Sequence, residues 1–231
     1  MELSQGPEEE ASKEFVRANL SIQIHSIIHK AQKSHGLVSN DTSSDFTSYR
    51  SYLTNRISRL RHSKPVHKRT SGHAGKKHAY RKKEYSIEDA NQHENFILIP
   101  LAIAERAWAH AMEIKNINQM TMQSGGKKNY YVKRLKKAVK HVAELEYYVN
   151  EICDENTMLE TKCYAAFIRG TFYCESKDWK VCILMLHFLR IIWLISDMFL
   201  FFCRLHVEIL LRLLNFVMNF QTSTDPKNIG N

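Results

Sequence analysis

Seven aliphatic residues, Val132, Leu135, Val139, Val142, Leu145, Val149 and Ile152, recur three and four positions apart, and this run narrows the choice of fold more than any other feature. On a helix they form one continuous stripe, whereas in a strand they would scatter over both faces. Residues from about Asn129 to Asn156 are therefore expected to form a helix packed lengthwise against another, basic in its first half and acidic in its second. The same spacing recurs along the chain. Val16, Leu20, Ile24, Ile27 and Ala31 follow Ser12 and run to a stop at Ser34, His35 and Gly36. Phe46, Tyr49, Leu53, Ile57 and Leu60 follow the turn-forming stretch 38–45. A third helix restarts near Ser86, with Asp89 as capping-box partner. Its buried side is marked by Phe96, Leu98, Leu101, Ile103, Ala104, Ala107, Trp108 and Ala111, and Pro100 is expected to kink it. A further helix is expected near Leu159 to Glu175. The fold class is all-α: an antiparallel bundle with a long basic loop and an apolar C-terminal helix.

Charge is segregated along the chain. From Arg56 to Lys83 there are eleven Lys/Arg, four His and no carboxylate; from Lys127 to Lys140 there are seven more, again with no acid. These two blocks carry +18 of a formal net charge of +9, so the remainder sums to −9. Two cationic patches on a mildly acidic body favour an anionic partner. In the helix bearing Arg50, Arg56, Arg59 and Arg61, the apolar stripe occupies a sector of about 80°. Arg50 and Arg61 flank one edge of it, while Tyr52, Arg56 and Arg59 cluster near the other. Arginine offers planar, two-pronged contacts to phosphate and stacks on bases, which solubility alone does not require. Arginine interleaved with tyrosine, beside a basic loop at 62–84, suits RNA better than duplex DNA, for which no helix-turn-helix, zinc finger or zipper is present.

Other chemistries find little support. The five cysteines, at 153, 163, 174, 182 and 203, are odd in number and never in CxxC spacing, which suits a reducing compartment rather than a disulfide framework or zinc knuckle. Gly75-Lys76-Lys77 and Gly126-Lys127-Lys128 lack the Ser/Thr and the preceding strand of a phosphate loop. His25 and His29 sit four apart with no third metal ligand, and no catalytic constellation stands out, so neither enzyme activity nor a cofactor is expected. The acidic N-terminus has no export signal. Residues 181–203 form a 23-residue apolar run interrupted only by Arg190 and Asp197. That run is either a buried helix or a membrane-contacting segment.

Several stretches together resemble the RNA-binding domain of the 68-kDa signal recognition particle subunit family. They are His35-Gly36-Leu37; Tyr49, Arg50, Tyr52, Arg56, Arg59, Leu60 and Arg61; Gly75-Lys76-Lys77; Glu105 to Trp108 with Ala111, Met112 and Lys115; Arg134, Leu135, Lys137 to His141 and Glu144 to Glu146; and Leu159, Glu160, Tyr164, Ala166, Gly170, Glu175, Trp179 and Lys180. Their order and approximate spacing match over residues 14 to 180. The resemblance implies a fold similar to tetratricopeptide repeats. It also implies binding of the particle's 7S-type RNA near its three-way junction, in support of delivery of secretory proteins to the endoplasmic reticulum. RNA contacts are then expected from Tyr49, Arg50, Tyr52, Arg56, Arg59 and Arg61, from Lys76 and Lys77, and from Lys133, Arg134, Lys136, Lys137 and Lys140. A cytoplasmic protein with nucleolar assembly is implied as well. The expected organisation is an acidic disordered stretch at 1–11, an RNA-binding domain at 12–180 and a divergent tail at 181–231. The family's long C-terminal part, to which the resemblance assigns the 72-kDa partner, has no counterpart in this sequence. The alternative reading is a helical protein-interaction scaffold with a membrane-associated C-terminal segment.

Overall fold

The computed structural model describes residues 20–35, 37, 45–63, 66, 86–120, 126–185 and 187, with backbone alone at 119–120 and 126–129. Among the described residues the chain forms α1 (Ile24–Ser34), α2 (Phe46–His62), α3 (Ile87–Gln92), α4 (Asn95–Met120), α5 (Gly126–Ile152) and α6 (Glu155–Ser176). Residues 179–185 are helical again. Among the described residues the only extended pairing is a single bridge between Leu20 and Cys153. The all-α expectation therefore holds. Most of the segment 181–203, and the basic loop from 67 to 85, lie outside the described residues; among those described, no helix is long and apolar enough to cross a membrane.

Several boundaries differ from expectation for identifiable reasons. Leu20 is not part of α1. Its N–H donates to the Ile152 carbonyl and its carbonyl accepts from Asp154, so the chain enters extended across the α5–α6 turn. The helix expected to reach Asn156 stops at Ile152, because the Asp154 side chain accepts from the Thr157 N–H and starts α6. The helix beginning at Ser86 keeps its capping box with Asp89 but is two helices, since His93 is extended at φ −160° and ψ 135°. α4 then runs unbroken through the expected kink site, Pro100. That proline lies in the second turn, where it has no N–H to give the Phe96 carbonyl.

α4 is the central element, with α2 antiparallel on one side and α5 on the other. Phe46 meets Trp108 edge-on at 5.8 Å near one end, and Asn95 donates to Ser63 at the other. The predicted stripes form the core: Tyr49, Leu53 and Ile57 from α2, Phe96, Leu101 and Ala104 from α4, and Leu135, Val142, Leu145 and Val149 from α5 are all buried. α6 closes the layer against α5, tied by Tyr131 to Glu175 at 2.9 Å and by Arg169 to Glu146. Cys153, Cys163, Cys174 and Cys182 are buried thiols outside any disulfide; burial pushes Cys153 up to about 12 and Cys163 up to about 11, so neither is a nucleophile at neutral pH.

α1 lacks a side-chain cap of its own. α6 supplies one from 135 residues away: Glu160 accepts from the His25 N–H at 3.0 Å. Thr157 meanwhile accepts from the Ile22 N–H and donates to the Ile22 carbonyl. A second polar knot sits at the centre of the core. Glu105 on α4, only 2% exposed, accepts from Gln32 of α1 at 2.8 Å, Tyr49 of α2 at 2.9 Å and Tyr164 of α6 at 2.8 Å. No cation takes part. Burial pushes the carboxyl above the usual carboxylate range, opposed by the bonds from Tyr164, Gln32 and Tyr49.

Removing this acceptor strands three buried donors, at roughly 1–3 kcal/mol for each group left unsatisfied. Glu105→Ala should therefore destabilise the chain by on the order of 3 kcal/mol or more in urea unfolding, and Glu105→Gln by much less. Because the folded carboxyl holds its proton more tightly than the unfolded one, its contribution to stability is full at low pH. It is lost as pH rises through the raised value. Glu105→Gln should remove that component from the pH profile of stability.

Candidate RNA interface

α2 is shaped to bury one side and present the other. Asp45 caps its start by accepting from the Ser48 N–H at 3.0 Å, and Arg59, Arg61 and His62 lie in its last turn, where cations suit the helix dipole. Its arginines fall into two groups. Arg50 is held by the same molecule: its Nε lies 2.7 Å from Glu113 Oε2, and Nη2 donates to Oε1 at 3.3 Å. Thr47 donates to the same carboxylate at 3.1 Å. Arg56 Nη1 donates to the Tyr52 hydroxyl at 2.8 Å, and the Tyr52 ring stacks on His35 at 3.9 Å, so an aromatic pair aims this guanidinium. Among the described residues no carboxylate pairs with Arg56, Arg59 or Arg61. Arg59 is exposed and Arg61 half-buried.

Tyr49 requires correction as an RNA contact. It is fully buried, and its hydroxyl is spent on Glu105, which together with burial pushes its ionisation far above the ordinary tyrosine value. It anchors the arginine helix to α4 and is out of reach of any ligand. Lys76 and Lys77 lie outside the described residues.

On α5, Lys133, Lys136, Lys137 and Lys140 are exposed, opposite the buried Leu135, Ala138 and Val142. Arg134 lies over the Tyr130 ring, 4.8 Å from its centroid, and donates to the Tyr130 hydroxyl. α2 and α5 flank α4, and the outer edge of α4 carries Arg106, His110 and Glu113 at spacings of four and three. His110 lies within the field of both neighbours. Burial lowers its ionisation, helped by Arg50 of α2, Arg134 of α5 and Arg106 of its own helix, with Glu113 opposing. Arg50 of α2, paired with Glu113, and Arg134 of α5, set on the Tyr130 ring that meets His110, thus approach one strip of α4 from either side, while Arg56 lies on the other edge of α2, beside Ile27 and Ala31 of α1.

Arg106, His110 and Tyr130 are the residues that sequence reasoning missed. The signal was a polar stripe at 106, 110 and 113 on a helix otherwise crowded with Ala, Leu and Ile. It was obscured because α4 was read for its buried side. As a surface, the strip gathers Arg50, Arg106 and Arg134, the Glu113 carboxylate and the nearby lysines of α5, with the Tyr130 ring beside the Arg134 guanidinium. That is the chemistry of phosphate and base contact rather than of catalysis.

The family described as RNA-binding signal recognition particle 68 matches residues 42–194. A fly protein (Drosophila melanogaster) named signal recognition particle subunit SRP68 is 34% identical over 178 residues, covering 75% of this chain and 26% of the relative. A nematode protein (Caenorhabditis elegans) of the same name is 30% identical over 162 residues, covering 69% and 25%. The chain spans about a quarter of the length of these curated relatives. A solved structure described as the SRP68-RBD from Chaetomium thermophilum superposes with a TM-score of 0.68 at 21% identity, covering 89% of this chain and 92% of that one, which shows a shared fold.

The electrostatic crowding of His110 has a measurable sign. In a ring-proton NMR titration, His110 should titrate below the ordinary histidine value. Arg134→Ala should raise that midpoint and Glu113→Gln should lower it further. A midpoint indifferent to both would separate the α4 strip from its neighbours.

Proposed function

Because the chain belongs to the signal recognition particle 68 RNA-binding family, we propose that it binds the particle's 7S-type RNA near the three-way junction through the face formed by α2, α4 and α5. The observation that carries this reading is that Arg50 of α2 pairs with Glu113 of α4 while Arg134 of α5 sits on the Tyr130 ring, which meets His110 of α4. A single cationic helix is most simply a solvated face. Two that converge on one strip form a surface broad enough to follow a folded backbone.

Across that face and the adjoining α1 edge of α2 the residues divide by role. Arg56, aimed by Tyr52, together with Arg59 and Arg61, contacts phosphates and base edges. The lysines at 133, 136, 137 and 140 neutralise flanking phosphates, and Lys76 and Lys77 extend the same role from the basic loop. Arg50, already committed to Glu113, contributes through its remaining nitrogen. A-form RNA has a deep, narrow major groove, so entry of an arginine helix requires the RNA to open or bend. Association with other particle proteins, and a part in delivering secretory proteins to the endoplasmic reticulum, follow from this reading. So does residence in the cytoplasm with assembly in the nucleolus.

Filter binding of the full chain to the particle's RNA and to a scrambled control, at two salt concentrations, tests the proposal. Neutralisation of roughly six to ten phosphates should weaken binding on the order of 10³- to 10⁵-fold between 50 and 200 mM salt. Arg56→Ala with Arg59→Ala should abolish preference between the two RNAs while circular dichroism stays helical. Lys136→Ala with Lys137→Ala should weaken both RNAs about equally. Preference unchanged by the double arginine substitution would remove α2 from the interface.

A further inference from the structure

One exposed ring in the face has no place in a phosphate-binding account. Tyr130, in the first turns of α5, keeps 45% of its surface exposed within a basic stripe formed by Lys133, Arg134 and Lys137. Phosphate binding would use at most the Tyr130 hydroxyl, to aim Arg134, and leaves the exposed ring face unused; a core would bury it. The ring is also fixed. The Arg134 guanidinium lies 4.8 Å from its centroid and donates to its hydroxyl, and the His110 ring meets it near-perpendicular, at 83° and 6.2 Å. Holding ring and guanidinium in one stack before binding lowers the ordering cost that a ligand would otherwise bear.

We infer that the Tyr130–Arg134 stack is a platform for an unpaired nucleobase. The inference rests on the RNA-binding reading above and names a feature of the RNA that this face selects. A nucleobase is flat and polarisable, and stacks on aromatic rings and guanidinium planes alike. Lys133 and Lys137, on the same face of α5, meet the phosphates on either side of it. A paired base is closed to this contact by its own neighbours in the helix. The platform therefore discriminates looped or bulged RNA from continuous duplex, without reading which base is present.

The test compares the full chain with Tyr130→Leu and Tyr130→Trp, on the particle's RNA and on a fully paired RNA duplex of equal length. Tyr130→Leu keeps helix propensity and charge but removes the stacking plane; Tyr130→Trp keeps a plane. Tyr130→Leu should weaken binding to the particle's RNA roughly 5- to 150-fold, the range for loss of one stacked base. The slope of affinity against salt should not change, since no phosphate contact is removed. Duplex binding should stay as it was, and Tyr130→Trp should retain affinity within about threefold. Unchanged binding by Tyr130→Leu overturns the inference, as does an equal loss on both RNAs or an equal loss in Tyr130→Trp. Wild-type protein that fails to prefer the particle's RNA over a scrambled control sinks the reading in the preceding section. The contrast between leucine and tryptophan judges the platform alone.

Discussion

The fold turns on a carboxylate placed where carboxylates are seldom found. Glu105 lies inside the bundle and is satisfied by an amide and two phenols drawn from three other helices. An apolar residue at this site would pack well but would leave helices α1, α2 and α6 free to slide or rotate on α4. Three directional bonds to one group fix their register. The consequence reaches the surface, because Tyr49 belongs both to this knot and to the arginine helix. The rotation of α2, and with it the direction in which Arg56, Arg59 and Arg61 point, is set from within the core.

The face proposed to meet RNA holds one acid, Glu113 of the α4 strip, which pairs with Arg50. Its presence divides the arginines by function. Arg50 is fixed in orientation, with its Nε closed off from solvent, and serves as a buttress. Arg56 is fixed by a neutral hydroxyl and keeps its full charge for a ligand. Like charges from α2 and α5 would repel at this distance, and one carboxylate between them lessens that repulsion before any RNA arrives. Burial, aided by Arg50, Arg134 and Arg106 and opposed by Glu113, keeps His110 short of protons, so the strip's charge near neutral pH comes from arginine and lysine.

The elements were legible in the sequence because each apolar stripe keeps helical spacing, and the Ser86–Asp89 capping box could be read directly. What was not legible came from contacts between distant segments. Leu20 fits the spacing of α1, yet it is drawn into a bridge by Cys153, whose position depends on the α5–α6 turn. That turn was missed because Asp154 looks like one more polar residue on a long helix until its side chain is seen capping Thr157. Tyr49 belonged to both the buried stripe and the arginine cluster, and spacing could not decide which would win; Glu105 decides it. His110, which stands between Arg50 and Arg134, carries no motif, and only the packing of α2, α4 and α5 shows its place.

The borrowed cap of α1 sets an order of events. Because the acceptors for Ile22 and His25 come from Thr157 and Glu160, the first helix has no complete N-terminus until the sixth exists. An 11-residue helix is too short to persist alone in water. On a ribosome making about 5–20 residues each second, α1 emerges several seconds before its closing partners and must wait for them. Closing so long a loop adds little to the final free energy but delays the step that completes the structure. The N-terminus of α1 is therefore completed only after α6 has been made, when the arginine helix α2 is already present.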